Sequence, residues 1–244
     1  LLSFDEVDKD WLTRFDRHLA KTAPSANSRN IHLRNIRAAF NAGIDDDLTS
    51  AYPFRRFKIR PDPTPSRALT AEQVRAFLAA PVSDAQREFR DCWEISFLLA
   101  GANVCDLLSL RTRDVDGAHI GFKRQKTGQP VRLPLCQRLL ELFAQYKGED
   151  GYLLRFGTRY AGEEEYVRHL NRAVKGIAGL ASVSSYYARY SFASIASELG
   201  WTDDVVGLCL GHAKKGVTSV YIRANRQPQV DACVRSVWEA VGRG

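Results

Sequence analysis

The chain has 244 residues, 45% of them hydrophobic, and carries 35 Lys and Arg against 28 Asp and Glu, a net charge of +7. This composition excludes a wholly disordered chain, and no apolar run approaches the roughly 18 residues of a membrane span. The basic balance favours a polyanionic partner, of which nucleic acid is the commonest.

Five cysteines, Cys92, Cys105, Cys136, Cys209 and Cys233, form an odd set without a CxxC pair. They read as reduced, mostly buried thiols in a cytoplasmic protein rather than as a disulfide framework. The five histidines show no metal-ligand spacing, so no metal and no cofactor are expected. The chain opens at Leu1 with no Met and no signal-peptide pattern, which reads as a fragment lacking its natural N-terminus.

In chain order, Phe4 to Lys21 reads as one amphipathic helix and Ser25 to Gly43 as a second. On the second, Leu33, Ile36 and Phe40 share a packing face, while Asn30, Arg34, Arg37 and Asn41 share a polar arc suited to DNA contact. A solvated polar face is the competing explanation. Ile59 to Arg67 holds three prolines in nine residues and reads as an extended connector. Residues 1–58 are therefore expected to form one helical domain and 68–244 another.

The second domain opens on Thr70-Ala-Glu-Gln73, a capping box for a helix to about Ala80. Helices are expected over Asp84 to Ala100 and Val104 to Leu110, followed by an Asp114 to Gly117 turn. Two strands, Ala118 to Gln125 and Pro130 to Leu135, flank Lys126-Thr127-Gly128. Further helices are expected over Cys136 to Tyr146, Glu163 to Ile177, Tyr186 to Leu199, Asp203 to Leu210, Val217 to Arg223 and Gln229 to Val241. The fold class is mainly α with a small β-sheet.

Four short stretches carry candidate chemistry. Lys126 on a tight turn is a solvated cation, or a mobile proton donor delivered from a loop. Arg189 lies within the apolar and aromatic run Ser185-Tyr-Tyr-Ala-Arg-Tyr-Ser-Phe-Ala193. A buried guanidinium needs an anionic partner, either a carboxylate or a phosphate. His212 follows Leu210-Gly211 at a helix end, where glycine is an ordinary cap. Tyr221 lies nine residues beyond His212. Alone, each has an ordinary structural explanation.

Their order resembles that of the tyrosine recombinase, or phage integrase, family. That family's pattern is an Arg after a Gly, a hairpin Lys, an H-x-x-R helix, an L-G-H turn and a Tyr nine residues beyond the His. Here the corresponding residues are Gly101-Ala-Asn103, Lys126, Tyr186-x-x-Arg189, Leu210-Gly-His212 and Tyr221. Val104 to Leu110 resembles the family's helix after the first Arg. Ala38 to Gly43 and Tyr52-Pro-Phe54 resemble the end of its core-binding domain. Two positions depart from the pattern, Asn103 for Arg and Tyr186 for His, in a way similar to integrases of Bacteroides-type mobile elements.

The resemblance implies a catalytic domain preceded by a partial core-binding domain, acting on double-stranded DNA in the bacterial cytoplasm. It implies a 3′-phosphotyrosine intermediate at Tyr221, transition-state donors at Arg189, His212, Tyr186 and Asn103, and a leaving-group acid at Lys126. Asp106 is expected to orient the site. A homotetramer on DNA is expected, with Val230, Val234, Val237, Trp238 and Val241 forming a docking stripe on a neighbour or packing on their own domain. Asn103 carries no charge, and Arg111, Arg113 and Arg124 are the candidates to replace the missing one. The alternatives are a DNA-binding relative that has lost cleavage, a type IB topoisomerase-like enzyme, and a basic interaction module without DNA.

Overall fold

The computed structural model describes residues 2–63, 67–212 and 226–243. Tyr221 and the helix expected over Val217 to Arg223 lie outside the described residues. The chain divides into two compact units, Leu1–Ser66 and Arg67–Gly244.

In the first unit, α1 (Lys9–Leu19) and α2 (Ala26–Asp45) pack side by side. The single helix expected from Phe4 is broken in two. Asp8 has an extended backbone and its carboxylate accepts the Trp11 N–H at 2.6 Å, so α1 starts there. Phe4–Glu6 forms a separate 3-10 turn closed by Ser3 and Glu6. Val7, Leu12, Leu33, Phe40 and Phe54 form the buried core, with Ile36 packed against it. A Cβ on Gly43 would lie 2.6 Å from the Phe4 ring, so that ring would have to shift to admit one.

The connector's first residues are fastened to α2. Asn30 donates to the Arg60 carbonyl, and Ala26 and Asn27 bond to Asp62. This corrects one expectation. Asn30 is buried and its amide is spent on the connector, so it does not belong to an exposed DNA-facing arc. Arg34, Arg37 and Asn41 are exposed on α2.

The second unit is built around α4 (Asp84–Leu98), which is buried from Asp91 to Leu98. Before it, α3 (Ala71–Ala79) starts at the expected capping box, Thr70 accepting the Gln73 N–H. After it come α5 (Val104–Ser109) and a three-stranded antiparallel sheet of β1 (Val115–Asp116), β2 (His119–Lys123) and β3 (Pro130–Pro134). The short β1 replaces the expected turn because Val115 pairs with Ile120. Then follow α6 (Gln137–Gln145), α7 (Glu163–Ala173), α8 (Tyr187–Glu198), α9 (Asp203–Cys209) and α10 (Gln227–Ala240). Helix α7 stops four residues before Ile177, where Gly176 takes a left-handed φ of 79°.

Two buried carboxylates on α4 are satisfied in place. Asp91 pairs with Arg90 and accepts the Tyr146 hydroxyl, and Glu94 holds both Arg138 and Arg243. The apolar stripe of α10 is spent inside its own unit. Val230, Val234, Val237, Trp238 and Val241 are all buried there, and the Trp238 indole donates to the Leu98 carbonyl at 3.0 Å. Trp238→Ala is therefore expected to lower stability by about 3–5 kcal/mol in urea unfolding, from the cavity left in the core. A loss below about 1 kcal/mol would be at odds with this docking.

Candidate active site

The site forms where three turns meet. The first is the α4–α5 turn, where Gly101 has a φ of 67°. A Cβ on Gly101 would come within 2.2 Å of the Arg189 Cα, so only glycine lets α8 approach so closely. The Gly101 carbonyl accepts from Arg189 Nη1 at 3.2 Å.

The second turn is Leu210-Gly211-His212 at the end of α9. The His212 N–H donates to the Gly207 carbonyl at 2.8 Å and the Gly211 N–H to that of Leu208 at 3.1 Å. This is a Schellman ending, and it places Gly211 at a left-handed φ of 67°. The Leu210 carbonyl is left pointing into the site, where it receives two guanidiniums. Arg189 Nη2 donates to it at 2.8 Å and Arg124 Nη1 at 2.6 Å.

The third turn is the β2–β3 hairpin. Arg124 follows β2 and is buried, while Lys126 is exposed at the tip. Arg124 Nε pairs with Asp106 Oδ2 at 2.6 Å, and the other oxygen of the same buried carboxylate accepts the Gln125 N–H at 2.8 Å. Asp106 thus holds the hairpin at two adjacent residues, Arg124 and Gln125.

The partners of Arg189 distinguish its two explanations. Among the described residues it bonds two main-chain carbonyls and lies within ion-pair distance of no carboxylate. Its pKa falls to about 10, first through burial and then through the Arg124 charge, so it stays cationic at neutral pH. Arg189 is thus a partly buried cation with no directly bonded counter-ion among the described residues. The His212 pKa is also lowered, by burial first and then by the Arg189 and Arg124 charges.

Of the remaining candidates, Tyr186 is exposed at the start of α8, its ring 5.3 Å from that of Tyr190. Asn103 is the N-cap of α5. Its side-chain oxygen accepts the Val104 N–H at 2.9 Å, and among the described residues it bonds neither arginine. Arg111 instead lies over the Tyr152 ring at 3.4 Å and donates to Asp150, while Arg113 is exposed. Of the three arginines left open by sequence, Arg124 is the one that joins Arg189. The legible signal was strand phase: Ile120 points inward, so the residue four further on does too. Among the described residues no group of His, Cys, Asp and Glu is arranged to hold a metal ion.

Because two cationic neighbours and burial hold His212 below the ordinary 6.5, its imidazole is expected to be neutral at pH 7. In an NMR titration its midpoint should lie below 6.5 and rise in Arg189→Met. A midpoint above 6.5, or one unmoved by that substitution, would count against this arrangement.

Residues 1–59 match the family model for the phage integrase SAM-like domain. Over 238 residues the chain is 26% identical to tyrosine recombinase XerC of Chlamydia trachomatis serovar L2, covering 90% of this chain and 74% of that protein. Its fold is similar to a lambda integrase tetramer bound to a Holliday junction, with a TM-score of 0.65 at 16% identity, over 87% of this chain and 66% of that one. It is likewise similar to the Tn1549 transposon integrase in complex with transposon right end DNA, with a TM-score of 0.65 at 18% identity, over 93% of this chain and 87% of that one. The chain is thus similar to tyrosine recombinases over most of its length, and its residues 1–59 match the SAM-like domain of phage integrases.

Proposed function

We propose that this protein is a site-specific DNA recombinase that cuts and rejoins strands through Tyr221. One observation above all supports this: Arg189 and Arg124 converge on one carbonyl, and among the described residues Arg189 pairs with no carboxylate. Two guanidinium forks side by side suit the non-bridging oxygens of a phosphodiester.

In the proposed step the Tyr221 oxygen attacks the scissile phosphorus. A bond forms between that oxygen and phosphorus, the bond to the 5′-oxygen breaks, and a 3′-phosphotyrosine results. The phenolic proton passes to solvent, and Lys126 gives a proton to the departing 5′-oxygen. A phenol ionises near pH 10, so the cations around the phosphate also favour the attacking phenolate. Arg189, Arg124, the neutral His212 N–H and the Tyr186 hydroxyl donate to the oxygens on which charge gathers. A second 5′-hydroxyl reverses the step, so no nucleotide hydrolysis is needed.

In this scheme Asn103 has no charge to contribute and serves as a helix cap, while Arg124 supplies the missing charge. This weakens the reading of a relative that has lost cleavage. The first unit acts as a core DNA-binding domain, with Arg34, Arg37 and Asn41 on its exposed arc, and the second unit is catalytic. Lambda integrase assembles as a tetramer on a Holliday junction. We propose a tetramer on double-stranded DNA here as well, acting in the cytoplasm to integrate, excise or invert a mobile element. Because the α10 stripe is buried in its own unit, protomers would have to meet through other surfaces.

The test is covalent capture. The protein is mixed with end-labelled DNA from the flanks of its own gene and run on a denaturing gel beside Tyr221→Phe. A labelled protein band that disappears in the mutant is expected. A band that persists in Tyr221→Phe, or no band while DNA still binds, would refute the assignment.

A further inference from the structure

The Lys126 hairpin is held more firmly than a loop delivering a mobile cation requires. Gly128 and Thr127 N–H groups both donate to the Arg124 carbonyl, at 2.7 and 3.3 Å, and the Arg124 N–H donates to the Gln129 carbonyl at 2.8 Å. The tip is thereby wound around Arg124. Besides the Arg124–Asp106 ion pair, it is fastened to α5 at two points through Gln125. The Gln125 N–H donates to Asp106 Oδ1 at 2.8 Å, and its side-chain Nε2 donates to the Cys105 carbonyl at 3.2 Å. An exposed glutamine usually directs its amide to water. This one crosses 20 residues of sequence to bond the main chain of the helix that borders the site.

We propose that Gln125 is a positioning residue for Lys126. Its amide clip to Cys105 fixes the plane of the hairpin tip over α5, so that the only freedom left to Lys126 is in its own side chain. The side chain then reaches for the departing 5′-oxygen from a fixed backbone position. Proton transfer is sensitive to such placement because donor and acceptor must come within hydrogen-bond reach. This proposal rests on the assignment of Lys126 as the leaving-group acid.

The experiment compares two DNA duplexes. The scissile position is first mapped on end-labelled DNA from the flanks of the gene. The same duplex is then made with sulfur in place of the 5′-bridging oxygen at that position. A thiol ionises at about pH 8.5, so a thiolate leaves without needing a proton, whereas an alkoxide does not. Single-turnover cleavage of both duplexes is measured for the unmodified protein, Gln125→Ala and Lys126→Ala.

On the oxygen duplex Gln125→Ala is expected to be slower by about five-fold, the worth of one neutral hydrogen bond. On the sulfur duplex it should match the unmodified protein. Lys126→Ala should lose about 10²-fold or more with oxygen and recover with sulfur. Equal slowing of Gln125→Ala on both duplexes would make Gln125 a general structural residue and overturn the proposal. So would an unchanged rate on both. If sulfur rescues Lys126→Ala in either case, the acid assignment survives and only the role of Gln125 falls. If sulfur fails to rescue Lys126→Ala, the acid assignment itself falls and takes the proposal with it.

Discussion

The main-chain carbonyl of Leu210 accepts hydrogen bonds from two guanidiniums at once, and the architecture of the site follows from that shared acceptor. Like charges held this close repel, and burial adds a desolvation cost for each. Asp106 offsets one charge by pairing with Arg124 from a position that is itself buried. Arg189 has no such partner among the described residues, and burial together with the Arg124 charge lowers its pKa. The site therefore keeps an excess positive charge, oriented and partly stripped of water, before any substrate arrives. A phosphodiester entering there would replace a dipole with a full negative charge, an exchange of the kind that lowers the barrier to phosphoryl transfer.

The parts that hold this arrangement come from distant stretches of chain. The Schellman ending of α9 satisfies the carbonyls of Gly207 and Leu208, which leaves that of Leu210 to face the arginines. Gly101 lets α8 come close enough for Arg189 to reach it. Helix α4, buried along its second half and fixed by Asp91 and Glu94, carries the turn with Gly101. The hairpin brings Arg124 inward and Lys126 outward, two residues apart on opposite sides of the same turn. One carboxylate, Asp106, fastens the turn between them, through Arg124 and the Gln125 N–H.

The order of short motifs pointed to Arg189 and the Leu210-Gly-His212 turn, which the structure brings together. Lys126, Arg189, Leu210-Gly-His212 and Tyr221 stand out only as a series, because each alone has an ordinary structural explanation. Local signals also read well: Thr70 with Gln73 starts α3, and the prolines after Ile59 precede the boundary between the two units. What escaped was tertiary. The helical wheel grouped Asn30 with Arg34 and Arg37, yet the connector folds back over the start of α2 and takes up the Asn30 amide. The polar Asp8 inside an amphipathic pattern was a cap, and it divided the first helix. The apolar stripe of α10 was visible, but periodicity cannot say whose surface it covers, and here it is the helix's own unit. The choice among Arg111, Arg113 and Arg124 likewise depended on which side of the hairpin faces inward.

The central claim is that Arg124 supplies the charge that Asn103 cannot. It is tested most directly by the single-turnover cleavage rate of Arg124→Ala, with folding checked by thermal unfolding. Loss of one transition-state donor predicts a fall of about 10²- to 10³-fold while DNA is still bound. A rate within about two-fold of the unmodified protein would contradict the claim, since such a change is far smaller than any transition-state donor supplies.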